Sequence, residues 1–299
     1  MLSARFFPRN HALCATVLAC AVVLTPLRSA RATGHGPVYG LATPTLGKGA
    51  WSLDVGAMYR ERGPFDDSNS HSAMLRPMVG YGLTEDLQLS LSVPVPLFTP
   101  VAGGMPARMM GMMPATPDVE LQLAWRFHRT DDLGSRFEST ALFGLDYPTD
   151  AVRGGMRTSP GFIAGGVTGY ASRSVYAWLG ALYRRYLSPR GAGADHEGDL
   201  VFYSAVVGYR PELFRQELPH ADWRVFAEAV GELRAHDVVA GNPLPNSGGH
   251  QLFVGPTVLG LFGAWGISGG PLFRVYADLN GTQTPDRFRV AINFTRWWF

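Results

Sequence analysis

The 299 residues carry 26 basic against 24 acidic side chains, with only 17% charged and a mean hydropathy near zero. That balance excludes an electrostatic nucleic-acid surface, so no nucleic-acid partner is expected. Beyond Leu24 no apolar run is long enough for a spanning helix, which leaves an all-β soluble protein or a barrel whose lipid-facing residues are diluted by alternation.

At the start, Arg5 and Arg9 precede an apolar run from about Ala12 to Leu24, and Ala30-Arg31-Ala32 offers a small-x-small cleavage site. Pro26 and Arg28 cut the run short of the roughly 18 to 20 apolar residues that a membrane anchor needs. Residues 1–32 are therefore expected to be a cleaved signal peptide, and 33–50 a periplasmic N-terminal segment ahead of a barrel spanning 51–299. Val17-Leu18-Ala19-Cys20 looks like a lipid-attachment box, but the apolar run continues past the cysteine. Cleavage after Ala32 leaves 22 basic residues against 24 acidic ones and removes both cysteines, Cys14 and Cys20. Cysteine redox chemistry is then excluded. The new terminus, Thr33-Gly34-His35, would offer an amine, two amide nitrogens and an imidazole to Cu(II) or Ni(II), or else remain an unligated tail.

Period-2 segments follow in order near 51–61, 72–82, 86–97, 117–128, 135–147, 160–170, 174–186, 198–209, 222–233, 250–261, 264–277 and 286–299. In 119–128, for example, Val, Leu, Leu, Trp and Phe alternate with Glu, Gln, Ala, Arg and His. The pattern predicts an all-β transmembrane antiparallel barrel of about 12 strands. Connections alternate between short ones, such as Thr84-Glu85-Asp86 and Gly263, and long ones rich in Gly, Pro, Asp and Asn. Such alternation fits short periplasmic turns and longer external loops, with Pro211 to Ala221 as the exception. Gly80-Tyr81, Gly169-Tyr170 and Gly208-Tyr209 each end a descending strand, where a tyrosine suits the membrane interface.

On the last strand Phe288, Val290, Ile292 and Phe294 share one face, and Phe299 closes the chain as the expected assembly signal for the barrel-assembly machinery. Counting back from Phe299 gives Trp297, Thr295 and Asn293, so a bulge near Arg296 or another register is expected. The pieces Gly36-Pro37-Val38-Tyr39-Gly40, Met74-Leu75-Arg76, the hairpin "GYGLTEDLQLSLSVPV" and the Phe-terminated strand resemble the outer-membrane barrels of the meta-pathway of phenol degradation. The resemblance implies passage of small molecules and assigns no catalytic residue.

Three constellations could carry chemistry. Met105, Met109, Met110, Met112 and Met113 in an external loop could bind Cu(I), or form an adaptable apolar loop. Asp54, Arg76, Glu120, Arg126, Glu138, Arg184, Arg224, Glu228, Glu232, Arg287 and Arg289 fall on the inferred inward faces, where charge avoids hydrocarbon. There they would either pair across and plug the lumen or line a polar pathway. His71, His196, His236 and His250 lie near external acids and serines, but no nucleophile motif accompanies them, and no enzyme is expected.

The sequence thus predicts an exported outer-membrane channel for small molecules, with hydrophobic compounds and metal ions as rival cargoes. Its partners would be outer-membrane lipid and the assembly machinery, and it would need no cofactor unless copper is taken up. The competing expectations are a closed-lumen structural or copper-binding barrel, and a soluble periplasmic β-sandwich.

Overall fold

Twelve runs of alternating side chains fold as twelve antiparallel staves. The computed structural model describes residues 36–63, 70–98, 118–149, 158–188, 195–215 and 220–299, and the backbone alone of 101–102, 105–106, 152–153 and 156–157. The staves are β1 (Trp51–Arg62), β2 (Ser70–Gly82), β3 (Leu87–Ser92, continued by Val95–Phe98), β4 (Val119–Asp132), β5 (Ser135–Tyr147) and β6 (Gly161–Ser172). They continue with β7 (Val175–Tyr186), β8 (Leu200–Tyr209), β9 (Asp222–Arg234), β10 (Gly249–Phe262), β11 (Trp265–Leu279) and β12 (Asp286–Trp298). Each pairs with its sequence neighbours, and β1 pairs with both β2 and β12, so the sheet closes on itself.

Alternation decides which face each residue takes. On β7, Tyr176, Trp178, Leu182 and Arg184 are buried inside, while Val175, Leu179 and Tyr183 point out. Outward Leu145, Leu179 and Val207 are 61, 64 and 60% exposed, too much apolar surface for water and suited to a hydrocarbon belt. Short turns at 83–86, 133–134, 173–174 and 263–264 mark the periplasmic end, which also holds Trp51 and Trp298. Among the described residues, the long connection at 210–221 adds no strand and holds a 3-10 turn, Glu212–Phe214. The third stave breaks at Val93-Pro94, where proline offers no N–H to the ladder.

Two local expectations resolve. The Gly-Tyr pairs work on both faces: a Cβ at Gly169 would sit 2.2 Å from Trp178, and one at Gly208 would sit 2.4 Å from Phe226, so each glycine makes room for an inward aromatic of the next stave. Tyr170 and Tyr209 point outward at the same level. The bulge expected near Arg296 is corrected: register with β1 runs unbroken from Trp51↔Trp298 to Glu61↔Phe288, and shifts only at Glu61/Arg62. Phe294 and Trp298 therefore share the outer face with Arg296, and Phe299 lies past the strand end.

Residues 36–50 also depart from expectation. From Gly36, where description begins, the stretch expected to be a periplasmic segment lies within the bore, and Val38, Tyr39, Leu41 and Leu46 belong to the hydrophobic core. Two prolines deny it a strand or helix, so its fold comes from the wall around it.

Candidate functional site

The bore is built in three levels. Toward the external end, Arg184 meets Glu120 at 2.7 Å and Asp146 at 2.9 Å, and Arg76 lies 3.7 Å from Glu120. Across the lumen at the same end, Arg289 binds Asp286 at 2.8 Å and clamps Glu232, with its guanidinium 4.0 Å over the Phe253 ring. Arg62 reaches Asp286 at 3.2 Å. Near the periplasmic end Arg126 bridges Asp86 (2.7 Å) and Glu138 (3.0 Å), and Arg224 bonds Asp222 at 3.0 Å beneath Tyr176. A buried charge is costly to desolvate, and these ion pairs offset that cost. Arg287 stands apart, at the β12 irregularity, where it pairs with Glu61 at 2.9 Å and stays partly exposed.

Between the two charged levels the wall of β8 to β11 is largely apolar, with Phe202, Val206, Val230, Phe253, Leu259 and Leu272 facing inward around the polar Ser204, Glu228 and Thr257. Residues 36–46 lie against it. An extended segment outside any sheet must find acceptors for its amides, and here side chains supply them. The Glu228 carboxylate accepts Val38 N (2.8 Å), Tyr39 N (2.9 Å) and Gly40 N (2.7 Å), and also the Thr257 hydroxyl at 2.5 Å. Leu41 N donates to Ser204 Oγ at 3.0 Å, and Leu46 N to Gln88 Oε1 at 2.8 Å.

Side chains of the segment complete the seat. Tyr39 donates its hydroxyl to the Gly270 carbonyl at 2.7 Å, and burial, then the nearby Glu228 carboxylate, push its phenol up, keeping it a donor. Thr43 is held from three sides: its hydroxyl donates to Glu138 at 3.1 Å and accepts from Trp178 Nε1 at 3.2 Å, while its carbonyl accepts from Thr140 at 2.7 Å. Gly40 is required by closeness, since a Cβ there would stand 2.4 Å from a Val206 methyl. The partners of the segment sit on β3, β5, β7, β8, β9 and β11, staves on opposite sides of the ring; only a segment crossing the bore can touch them all.

Beside the segment lies a cavity of about 230 Å³, between Pro37 and Val38 on one side and β1, β2, β10, β11 and β12 on the other. Asp54, Arg76, Ser268, Asn293 and Thr295 give it a polar wall, with Met58, Met78 and Leu259 as apolar parts. Asp54 accepts the Thr295 hydroxyl at 2.5 Å, and Arg76 donates to Ser92 at 2.8 Å.

Of the other sequence candidates, His35, Met109, Met110, Met112 and Met113 lie outside the described residues, and Met105 is described in backbone only, opposite Ala102. The histidines are not gathered: His71 and His250 bond Tyr59 (2.5 Å) and Tyr203 (2.6 Å) on the outer face, while His196 and His236 contact the Glu197 and Leu244 carbonyls. Among the described residues no three His, Cys, Asp or Glu side chains converge as metal ligands. Sequence inspection missed the carboxylates Asp86, Asp146, Asp222 and Asp286. The parity that placed Glu138 inward would have placed Asp146 there as well.

A closed, twelve-stave antiparallel barrel with a paired-charge lumen and an apolar outer belt is the fold of an outer-membrane β-barrel. Among solved structures, the chain is similar to an outer membrane channel from Pseudomonas putida F1, with a TM-score of 0.62 and 12% identity over 89% of this chain and 100% of that one. It is also similar to the NanC porin, with a TM-score of 0.50 and 11% identity over 83% of this chain and 100% of that one. No known protein family matches the sequence, and no curated protein matches it.

Proposed function

We propose that this chain is an outer-membrane channel for small molecules, closed in the described state by its own residues 36–46. One observation carries the reading. The occluding segment forms no ladder with any stave; the amides of Val38, Tyr39, Gly40, Leu41 and Leu46 go to the side chains of Glu228, Ser204 and Gln88, so it can leave without unpairing the barrel. Support for a channel class comes from the two similar structures named as a channel and a porin.

The two-sided bore bears on cargo. A solute replacing Val38, Tyr39 and Leu41 would meet Phe202, Val206 and Val230 on one side and Asp54, Arg76 and Asn293 on the other. That surface suits a small amphipathic or hydrophobic compound better than a bare metal ion, which needs converging donors. The paired charges at both levels favour the second reading, a permanently closed structural barrel. Planar-bilayer recordings of the intact chain and of a variant lacking 36–46 separate the two. The channel reading expects stable openings in the shortened variant. Silence across voltages, with the variant still migrating as a folded barrel, would establish the closed barrel instead.

A further inference from the structure

The outer face near the periplasmic end is a belt of aromatic side chains. Tyr81 packs on Trp51 at 4.4 Å between ring centroids, Trp265 on Phe294 at 5.0 Å, and Trp223 on Phe262 at 5.7 Å. One cation interrupts it. Register places Arg296 between Leu53 of β1 and Trp265 of β11, both outward, and the strand parity it shares with Ile292, Phe294 and Trp298 leaves it no route into the lumen.

Its surroundings do not neutralise it. The guanidinium lies 4.4 Å over the Trp265 ring and 5.7 Å from that of Trp298, and the residue is 94% buried, with 6% of its surface open. Nε and Nη1 have no hydrogen-bond partner, and among the described residues no carboxylate pairs with it. The lumen arginines described above, by contrast, each bind a carboxylate. Two indoles can hold a guanidinium by its faces, but ring quadrupoles do not replace the in-plane acceptors its N–H groups require.

We propose that Arg296, flanked by Trp265 and Trp298, is a binding site for the phosphate of a membrane phospholipid. Position selects the lipid over a soluble anion. The site lies on the outward face of the barrel, two residues from the strand end, at the depth where indoles meet head groups. A phosphodiester there would supply the missing acceptors while its acyl chains continue along the outward apolar residues Phe294 and Ile292. Opening of the Trp298 side of the stack would admit it.

The test uses barrels folded in a detergent that carries no charge, monitored by thermal unfolding. Short-chain phosphatidylglycerol should raise the unfolding temperature of the intact protein and shift that of Arg296→Gln at least fivefold less. Diacylglycerol of the same chain length, lacking phosphate, should shift neither. Native mass spectrometry of protein extracted from membranes should show a phospholipid adduct depleted in Arg296→Gln and intermediate in Arg296→Lys. Equal shifts and equal adducts in the intact protein and Arg296→Gln would overturn the proposal. An equal effect of inorganic phosphate alone would overturn its assignment to lipid. If Arg296→Gln does not fold, Arg296→Lys serves in its place, and lipid binding as tight as in the intact protein then overturns the assignment to the guanidinium.

Discussion

Glu228 is the point where the occluding segment is held most tightly, and Glu228→Gln tests that directly. The carboxylate takes four donations, from Val38 N, Tyr39 N, Gly40 N and the Thr257 hydroxyl. A glutamine in the same place has one oxygen with two lone pairs, and its amide nitrogen would face donors. At least two charge-assisted bonds are lost. Each is worth about 1.5–3 kcal/mol, and water reaching the freed amides returns part of that, so the seated state should weaken by about 2–4 kcal/mol. The released fraction would then rise roughly 30- to 700-fold. Placing a cysteine at Ala42 in a chain of residues 33–299, which otherwise contains none, makes release measurable as the rate of modification by a charged maleimide. Glu228→Gln should accelerate labelling by at least an order of magnitude, with the heat-modifiable gel shift of a folded barrel unchanged. Rates within twofold of each other would show that the carboxylate does not hold the segment, and the account of closure would fall with it.

Other substitutions probe separate links. Gly40→Val forces a side chain into the Val206 contact and should also speed Ala42→Cys labelling, without altering the barrel's unfolding midpoint. Arg289→Leu strands Glu232 and takes one of the arginines from Asp286; it should lower stability by about 3–5 kcal/mol in urea titration, and adding Glu232→Leu should recover over half of that. Gly208→Ala pushes a methyl toward Phe226 and should cost about 1–3 kcal/mol in the same titration. Deleting Phe299 should reduce the amount of protein reaching the membrane, measured by quantitative blotting of fractions; undiminished levels would remove its role as an assembly signal.

The staves were legible because lipid and lumen impose opposite demands on successive residues, so Leu121-Gln122-Leu123 or Val225-Phe226-Ala227-Glu228 announces both a strand and its faces. The inward charges were legible for the same reason. Their pairing was not, since Arg184 finds Glu120 sixty-four positions away through a register that alternation leaves open. The seat of residues 36–46 was hidden more completely. Gly36-Pro37-Val38-Tyr39-Gly40 has no period, and its anchor Glu228 is 188 to 190 residues distant. The last strand misled in another way: counting back in twos from Phe299 gave Trp297, Thr295 and Asn293, so a bulge near Arg296 or another register was expected, whereas the strand ends at Trp298 and its outward parity runs unbroken through Arg296.

The central claim is that a movable segment, and not the wall, closes the bore. Leu41 N lies 3.0 Å from Ser204 Oγ, so Leu41→Cys with Ser204→Cys can tie the segment to β8 by a reducible link. Single-channel recording of this pair in a Glu228→Gln background should show a silent oxidised protein that opens on reduction and closes again on reoxidation. Equal conductance in the oxidised and reduced states, with the cross-link verified by mass, would contradict the claim.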